Sequence, residues 1–400
     1  MDNTRKPRAL TDLPVELLWM ISEHLSPADV ACLTLCSHHL IHCFIKSAFH
    51  GIPNGRTGGS GDDTRIDLLS RLSRDLPQYY LCYACLRLHI WNKIELPRPG
   101  FDVPDCCKSL PVRNWYLRRP IHLISYPCYS DYEFHFVHLH LAMRRFYYGP
   151  QFGIPVESLL YREVVAYTFA PKLAVSLGFP PPSLSNEEYQ RNYITALMSV
   201  DARICTTPPS LCLRMQQLAV VRKQNIARFF PNPEKTLVRV CMHSNISELP
   251  YTVHSLIERY SSDEAVTKLA DQGRCGKCNT AYKMEIRDLG QKDACFVFTV
   301  WMDLGPGLTP DDYRWRCHLD YEHNTLVPDD ELVVDPRARF EKDSIQAHYP
   351  DALSDEAMYY RNISFLQKTD WSVMTRKDLS RWFLRAGDAE KRTSTRCVVL

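Results

Sequence analysis

The stretch from Leu10 to Phe49, LTDLPVELLWMISEHLSPADVACLTLCSHHLIHCFIKSAF, constrains this chain more than any other. Its apolar residues recur at helical spacing in three short runs, each starting where a helix can start. Asp12 can cap the first helix, and Pro14 suits its first turn, where a missing N–H costs nothing. Leu17, Leu18, Ile21 and Leu25 then share one helical face. Ser26 and Pro27 open a second helix, with Asp29 near the positive end of its dipole. After Ser37, a third helix carries Leu40, Ile41, Phe44, Ile45 and Ala48 on one side. A segment this short cannot bury so much apolar surface alone, so it needs a partner or the rest of the chain.

The 400 residues suggest two or three domains, and an apolar fraction of 45% is enough for a sizeable core. A net charge of +2 gives no electrostatic footprint for nucleic acid, and no nucleic-acid partner is expected. Met1 to Arg8 is polar and basic with no apolar run behind it, which does not read as a signal peptide. No run of about 18 apolar residues occurs, so no membrane span is expected. The expected location is the cytoplasm or nucleus. The sixteen cysteines are then reduced, and read as metal ligands or small buried hydrophobes rather than a disulfide framework. No internal repeat is visible.

After the first segment (10–50), the glycine-rich stretch 51–65 reads as a flexible linker. Residues 66–230 form a helical, aromatic-rich region holding a first cysteine cluster. Ile66, Leu69, Leu72 and Leu76 lie at helical spacing, and Pro77 ends that helix. Cys82 and Cys85 then form a C-x-x-C turn, which can bend two thiolates onto one zinc ion. Cys106 with either Cys107 or His89 can complete the set. Glu133 to His140 alternates like a strand, and His135, His138 and His140 suit imidazoles bonded to neighbours better than a metal site. Helices are expected over Ser158–Phe169, Glu187–Val200 and Leu211–Phe230, with proline-rich breaks between them.

The second cysteine cluster, within 231–320, is better built. Leu237 to His243 reads as a strand, on which Cys241 and His243 would share a face. A helix is expected over Thr252–Leu269. Cys275 and Cys278 make a second C-x-x-C knuckle around Gly276, the small residue such turns favour. An alternating hairpin follows, Tyr282–Ile286 and Phe296–Met302, and a hairpin leaving a knuckle is ribbon-like. Cys241, His243, Cys275 and Cys278 would close a structural zinc site with four protein ligands, leaving no position for a catalytic water. Cys295 reads as a packed strand residue.

Leu10, Leu13, Pro14, Glu16, Leu17, Ile21, Leu25 and Asp29 follow the pattern L-x-x-L-P-x-E-[LI]-x-x-x-I-x-x-x-L-x-x-x-D, which resembles the F-box. The resemblance covers a tenth of the chain. It implies docking on the SKP-type adaptor of a cullin–RING ubiquitin ligase through an apolar helical surface. The order of segments is similar to a family of filamentous-fungal F-box proteins: F-box, glycine-rich linker, helix ending in DLP, C-x-x-C-x-x-x-H, then VWMDLGPG and DDYRW. That likeness concerns organisation, and implies no substrate.

The expected fold class is therefore α+β: a three-helix F-box, then a mixed, mostly helical domain with a zinc-ribbon-like hairpin. C-terminal helices are expected over 321–386, including Asp355–Leu366 and Thr375–Arg385, before a disordered tail, 387–400. The final Cys397-Val398-Val399-Leu400 fits C-a-a-X, which would place a geranylgeranyl group on Cys397 and give peripheral membrane contact. No G-x-S-x-G, G-x-x-x-x-G-K-[ST] or H-E-x-x-H occurs, so an enzyme is not expected. The leading expectation is a substrate-recognition subunit of an SKP–cullin–F-box ligase holding an unknown target. The alternatives are a zinc-dependent enzyme, and a membrane-tethered F-box scaffold outside a ligase.

Overall fold

A computed structural model describes residues 10–50, 52–54, 57, 59, 61–97, 106, 119–124, 131–168, 193–226, 240–241, 243, 255–261, 268–319, 334–342 and 354–368. The chain opens with three short helices, α1 (Val15–Glu23), α2 (Pro27–Leu35) and α3 (His38–Ala48). α2 is fixed at its start by a capping box: the Asp29 amide donates to Ser26 Oγ at 3.1 Å, and the Ser26 amide donates back to the Asp29 carboxylate. α1 has no side-chain cap. Leu10–Asp12 is a single 3-10 turn, and the N-cap position falls on Pro14. Leu18 turns inward onto Leu40, Phe44 and Ala48, which hold the three helices together.

Helix α4 (Gly61–Asp75) begins inside the stretch read as a flexible linker. Asp62 is buried there and accepts hydrogen bonds from the Thr57 amide and hydroxyl, at 2.8 and 2.9 Å. Leu68 of α4 packs on Ala28 and Ala31 of α2, and Arg71 bridges to Asp29. The other side of α4 lies on a two-stranded hairpin, β1 (Tyr79–Cys82) and β2 (Arg87–Ile90). A second small hairpin, β3 (Ile121–Ile124) with β4 (Asp131–Phe134), leads into helix α5 (Phe136–Tyr148).

Six antiparallel strands form the body: β5 (Tyr161–Thr168), β6 (Tyr193–Thr206), β7 (Pro209–Arg222), β8 (Lys268–Arg274), β9 (Thr280–Asp288) and β10 (Asp293–Asp303). Their order across the sheet is β5-β6-β7-β10-β9-β8. β10 is central, with Phe298 opposite Gln217 on one side and Met284 on the other. Its side chains alternate as a strand requires. Ala294, Phe296, Phe298, Val300 and Met302 enter the main core with Leu139 and Met143 of α5. Cys295, Val297 and Trp301 enter two further clusters on the opposite face.

That opposite face is covered by α7 (Pro336–Lys342) and α8 (Asp355–Lys368), while α6 (Tyr313–Arg316) is a short turn after β10. The covering helices neutralise a buried polar strip. Asp201 pairs with Arg214 at 3.0 Å and Arg361 at 3.1 Å. Lys283 pairs with Asp355, and Arg287 with Glu285 and Glu356. Asp303 takes Arg339, the Ser210 hydroxyl and the Gly305 amide. Burial lowers the Arg214 pKa, whereas Arg214 and Arg361 outweigh the burial of Asp201 and hold its carboxyl down.

The sheet corrects the expected fold, a three-helix F-box followed by a mostly helical domain with a zinc-ribbon-like hairpin. Ser158–Phe169, Glu187–Val200 and Leu211–Phe230, all read as helices, hold β5, β6 and β7 within their described parts. The ribbon-like hairpin is β9–β10, an inner piece of the large sheet rather than a small separate module. The N-terminal helices are joined to the body through α4 instead of standing free before a linker. Of the expected helix Thr252–Leu269, residues 255–261 are helical and Lys268 already begins β8. Thr375–Arg385 and the C-terminal tail lie outside the described residues.

Candidate functional site

Two clusters of soft donors lie at the ends of short hairpins. In the first, Cys82 ends β1, Cys85 lies in the turn, and His89 is on β2. Leu86 closes this turn: its amide donates to Cys82 O at 2.8 Å, and its φ of +53° lies in the left-handed region. A non-glycine residue there costs on the order of 1–3 kcal/mol, so other contacts must hold it. Leu86 is fully buried against Leu69 and Leu81. Cys106 comes in from beyond the hairpin, and the donor atoms of Cys82, Cys85, His89 and Cys106 all lie within 4.8 Å of one another. Cys85 Sγ is 3.1 Å from His89 Nε2. Hydrogen bonding with Cys106 and Cys82, and then burial, pushes the Cys85 thiol well up. Cys107 lies outside the described residues, and His89 takes the fourth place.

In the second cluster the donors of Cys241, His243, Cys275 and Cys278 also lie within 4.8 Å of one another. The knuckle is built by backbone bonds: Cys275 N–H donates to Thr280 O at 2.9 Å, and Thr280 N–H to Cys278 O at 2.7 Å. The Lys277 amide points at Cys275 Sγ, at 3.4 Å. Gly276 is not required by the geometry, since a Cβ there would meet open space and its φ is not left-handed. Val240 and Cys241 lie in a bend and His243 in a turn, so the expected strand does not bring this pair in. Hydrogen bonds from Cys241 and Cys278 hold the Cys275 thiol far below its ordinary value. In return, Cys241 is pushed up to about 12 by its bond to Cys275, and burial raises Cys278. Three sulfurs packed this closely compete for protons, and a divalent cation can replace those protons.

Both sets are three sulfurs and one imidazole, and either could hold a metal ion. Ligand atoms around a tetrahedral zinc with Zn–S bonds of about 2.3 Å stand roughly 3.7 Å apart, so little contraction is needed. The second set has supports that the sequence reading missed. Cys317 packs against Cys278, and burial pushes its thiol up to about 12. Thr280 Oγ1 is 3.2 Å from Cys278 Sγ and 3.5 Å from His318 Nδ1, while His318 Nε2 bonds Asp303 O at 2.9 Å. The adjacent Cys317-His318 pair was the available signal. In α5, His138 Nε2 bonds Glu95 O and His140 Nδ1 bonds Gly307 O, so these imidazoles tie loops to the helix.

The expected docking residues divide. Leu10, Pro14, Glu16, Leu17, Ile21 and Leu25 are exposed, with Val15, Trp19 and Met20 beside them; Leu17 is 44% and Met20 59% exposed. Leu13 is half-buried against the inner cluster of Leu18, Leu40 and Phe44. Asp29 is half-buried and engaged by Ser26 and then Arg71, which together hold its carboxyl below the usual range. Cys397 lies outside the described residues. No described helix is long and apolar enough to cross a membrane. Comparison with family models, curated proteins and solved structures gives no match.

Proposed function

We propose that the chain is a substrate-recognition subunit of an SKP–cullin–F-box ubiquitin ligase. Residues 10–50 would dock the SKP-type adaptor, and the sheet body would hold a protein target. The observation that carries this reading is the outward placement of Leu10, Val15, Leu17, Met20, Ile21 and Leu25, on the segment whose pattern resembles the F-box. Water-exposed apolar side chains gathered on so short a segment mark a surface meant to be covered. A recognition subunit works by raising the local concentration of a target near the ubiquitin-charged enzyme, and supplies no nucleophile. Both cysteine clusters are read as structural zinc centres, each closed by four protein ligands.

The test is co-purification of the full chain with an SKP-type adaptor. A Leu17→Asp, Met20→Asp variant should lose the adaptor while keeping its fold, because both side chains point outward. Equal recovery of adaptor by the variant and the wild type would overturn the docking surface. Zinc content near two equivalents per chain would support the two centres.

A further inference from the structure

Helix α4 touches the N-terminal helices on one side and the first cysteine hairpin on the other. Leu68 and Leu72 belong to the cluster with Ala28 and Ala31, and Arg71 bridges to Asp29. Leu69 packs on Leu81 and Leu86. Polar contacts also hold α4 to the body, among them a side-chain bond between Ser70 and Tyr83 and two grips made by arginines. Near its C-terminus, Arg144 of α5 donates to Ser73 O at 2.8 Å and to Tyr79 O at 3.0 Å. In its first half, Arg65 Nε donates to Leu86 O at 2.7 Å.

The two grips differ in what maintains them. Arg144 and Ser73 lie on helices, and their contact needs no part of the cysteine cluster. The Leu86 carbonyl points at Arg65 because the 82–86 turn is wound with Leu86 left-handed. That turn contains no glycine, and its strands are four residues each. A two-stranded hairpin of this size is marginal by itself. Cys82 and Cys85 bracket the turn, and His89 and Cys106 complete the donor set around it.

We propose that a zinc-like divalent cation at Cys82, Cys85, His89 and Cys106 acts as a latch, keeping the turn wound so that Leu86 holds the first half of α4 and, with it, α1–α3 on the sheet body. Its ligand rests on the zinc reading above, and its biological use on the adaptor reading. When the cation leaves, the turn relaxes and α4 loosens from its N-terminal half, pivoting on the Arg144–Ser73 contact. The contacts between α2 and α4 take no ligand from the cluster, so the docking face itself stays intact.

Hydrogen exchange on the full-length zinc-loaded chain, wild type against a Cys106→Ser variant that keeps zinc at the second cluster, tests this. Loss of the first zinc should speed exchange about tenfold or more over residues 61–70 and 79–90, and leave β6, β7 and β10 within about twofold. Adaptor affinity should change less than about twofold. Arg65→Ala, with zinc still bound at the wild-type stoichiometry, should loosen residues 61–70 alone. Unchanged exchange over 61–70 in Cys106→Ser, unchanged exchange in Arg65→Ala, or failure of the wild-type cluster to take up zinc would each overturn the latch. If the adaptor never binds while these exchange changes occur, the adaptor reading fails and the latch stands.

Discussion

The N-terminal helices and the sheet body solve opposite problems. Of the sixteen large apolar side chains that are exposed among the described residues, ten lie between Leu10 and Phe49. The body instead buries even its charges: Arg214 and Glu285 are at most 1% exposed. It can do so because each meets an opposite charge: Arg214 pairs with Asp201 of the neighbouring β6, and Glu285 with Arg287 of its own strand, which Glu356 of α8 also engages. The helices have no such cover for Leu17 or Met20. The difference teaches where to look for a partner: on the part of the molecule that its own chain leaves unfinished.

Four measurements can break or sharpen this contrast. Cys278→Ser strikes the body hardest, since structural zinc in small domains is worth about 10–16 kcal/mol. It should cut zinc by one equivalent per chain in elemental analysis, and a full zinc complement in the variant would refute the second centre. Asp303→Ala leaves Arg339 buried without its carboxylate, and should lower the unfolding free energy in urea by about 3–5 kcal/mol. Neighbouring leucines in α1 provide the next test. Leu18→Ala should cost about 2–5 kcal/mol, because Leu18 fills the inner cluster. Leu17→Ala should stay within about 0.5 kcal/mol. Equal losses would remove the distinction between an inner and an outer face.

The smallest effect is a pH slope. Burial pushes His138 down to about 3, and His135 N–H already donates to its Nδ1, so a proton there meets a donor. The unfolded imidazole, with a pKa near 6.5, binds protons first as the pH falls. Stability from this group is therefore complete above about 6.5. It falls by up to about 1.4 kcal/mol per pH unit below that, and levels off near 3. A His138→Asn variant should show a shallower fall between pH 6.5 and 4.5 in urea titrations. An unchanged slope would mean that His138 is not the group responsible.

Much of the candidate site was legible, and much of the fold was not, for a physical reason. Cys241, His243, Cys275 and Cys278 were named from spacing, because metal ligands are few and chemically distinct. The strand expected to align Cys241 with His243 is a bend and a turn, so the four residues were grouped correctly from partly wrong local geometry. β7 was read as a helix. Its apolar residues Leu211, Met215, Leu218 and Ala219 satisfy helical spacing, and its two glutamines favour it. A strand covered on both faces carries apolar residues at odd and even positions alike, which hides the two-residue period. β5 was the recoverable case: Tyr161–Thr168 has adjacent valines and aromatic ends, a strand signature. α8 was expected over Asp355–Leu366 and is found over Asp355–Lys368, and the β9–β10 hairpin showed through the alternation of Tyr282, Met284 and Ile286 with Lys283, Glu285 and Arg287.

One segment ties the distant parts together. After Asp303, the chain hydrogen-bonds Leu211 through Leu304 and Gly305, meets His140 at Gly307, and takes the Tyr83 hydroxyl on Leu308 O at 2.6 Å. Tyr83 sits between Cys82 and Cys85, and the same segment ends at Cys317 and His318 beside Cys278. The stretch written VWMDLGPG and DDYRW is thus a tie-rod between the two cysteine knuckles. A single cut between Leu304 and Asp312 would leave the six-stranded ladder paired but remove the one covalent run that reaches from the Tyr83 contact to Cys317, so the two knuckles would keep their alignment only through the shared core.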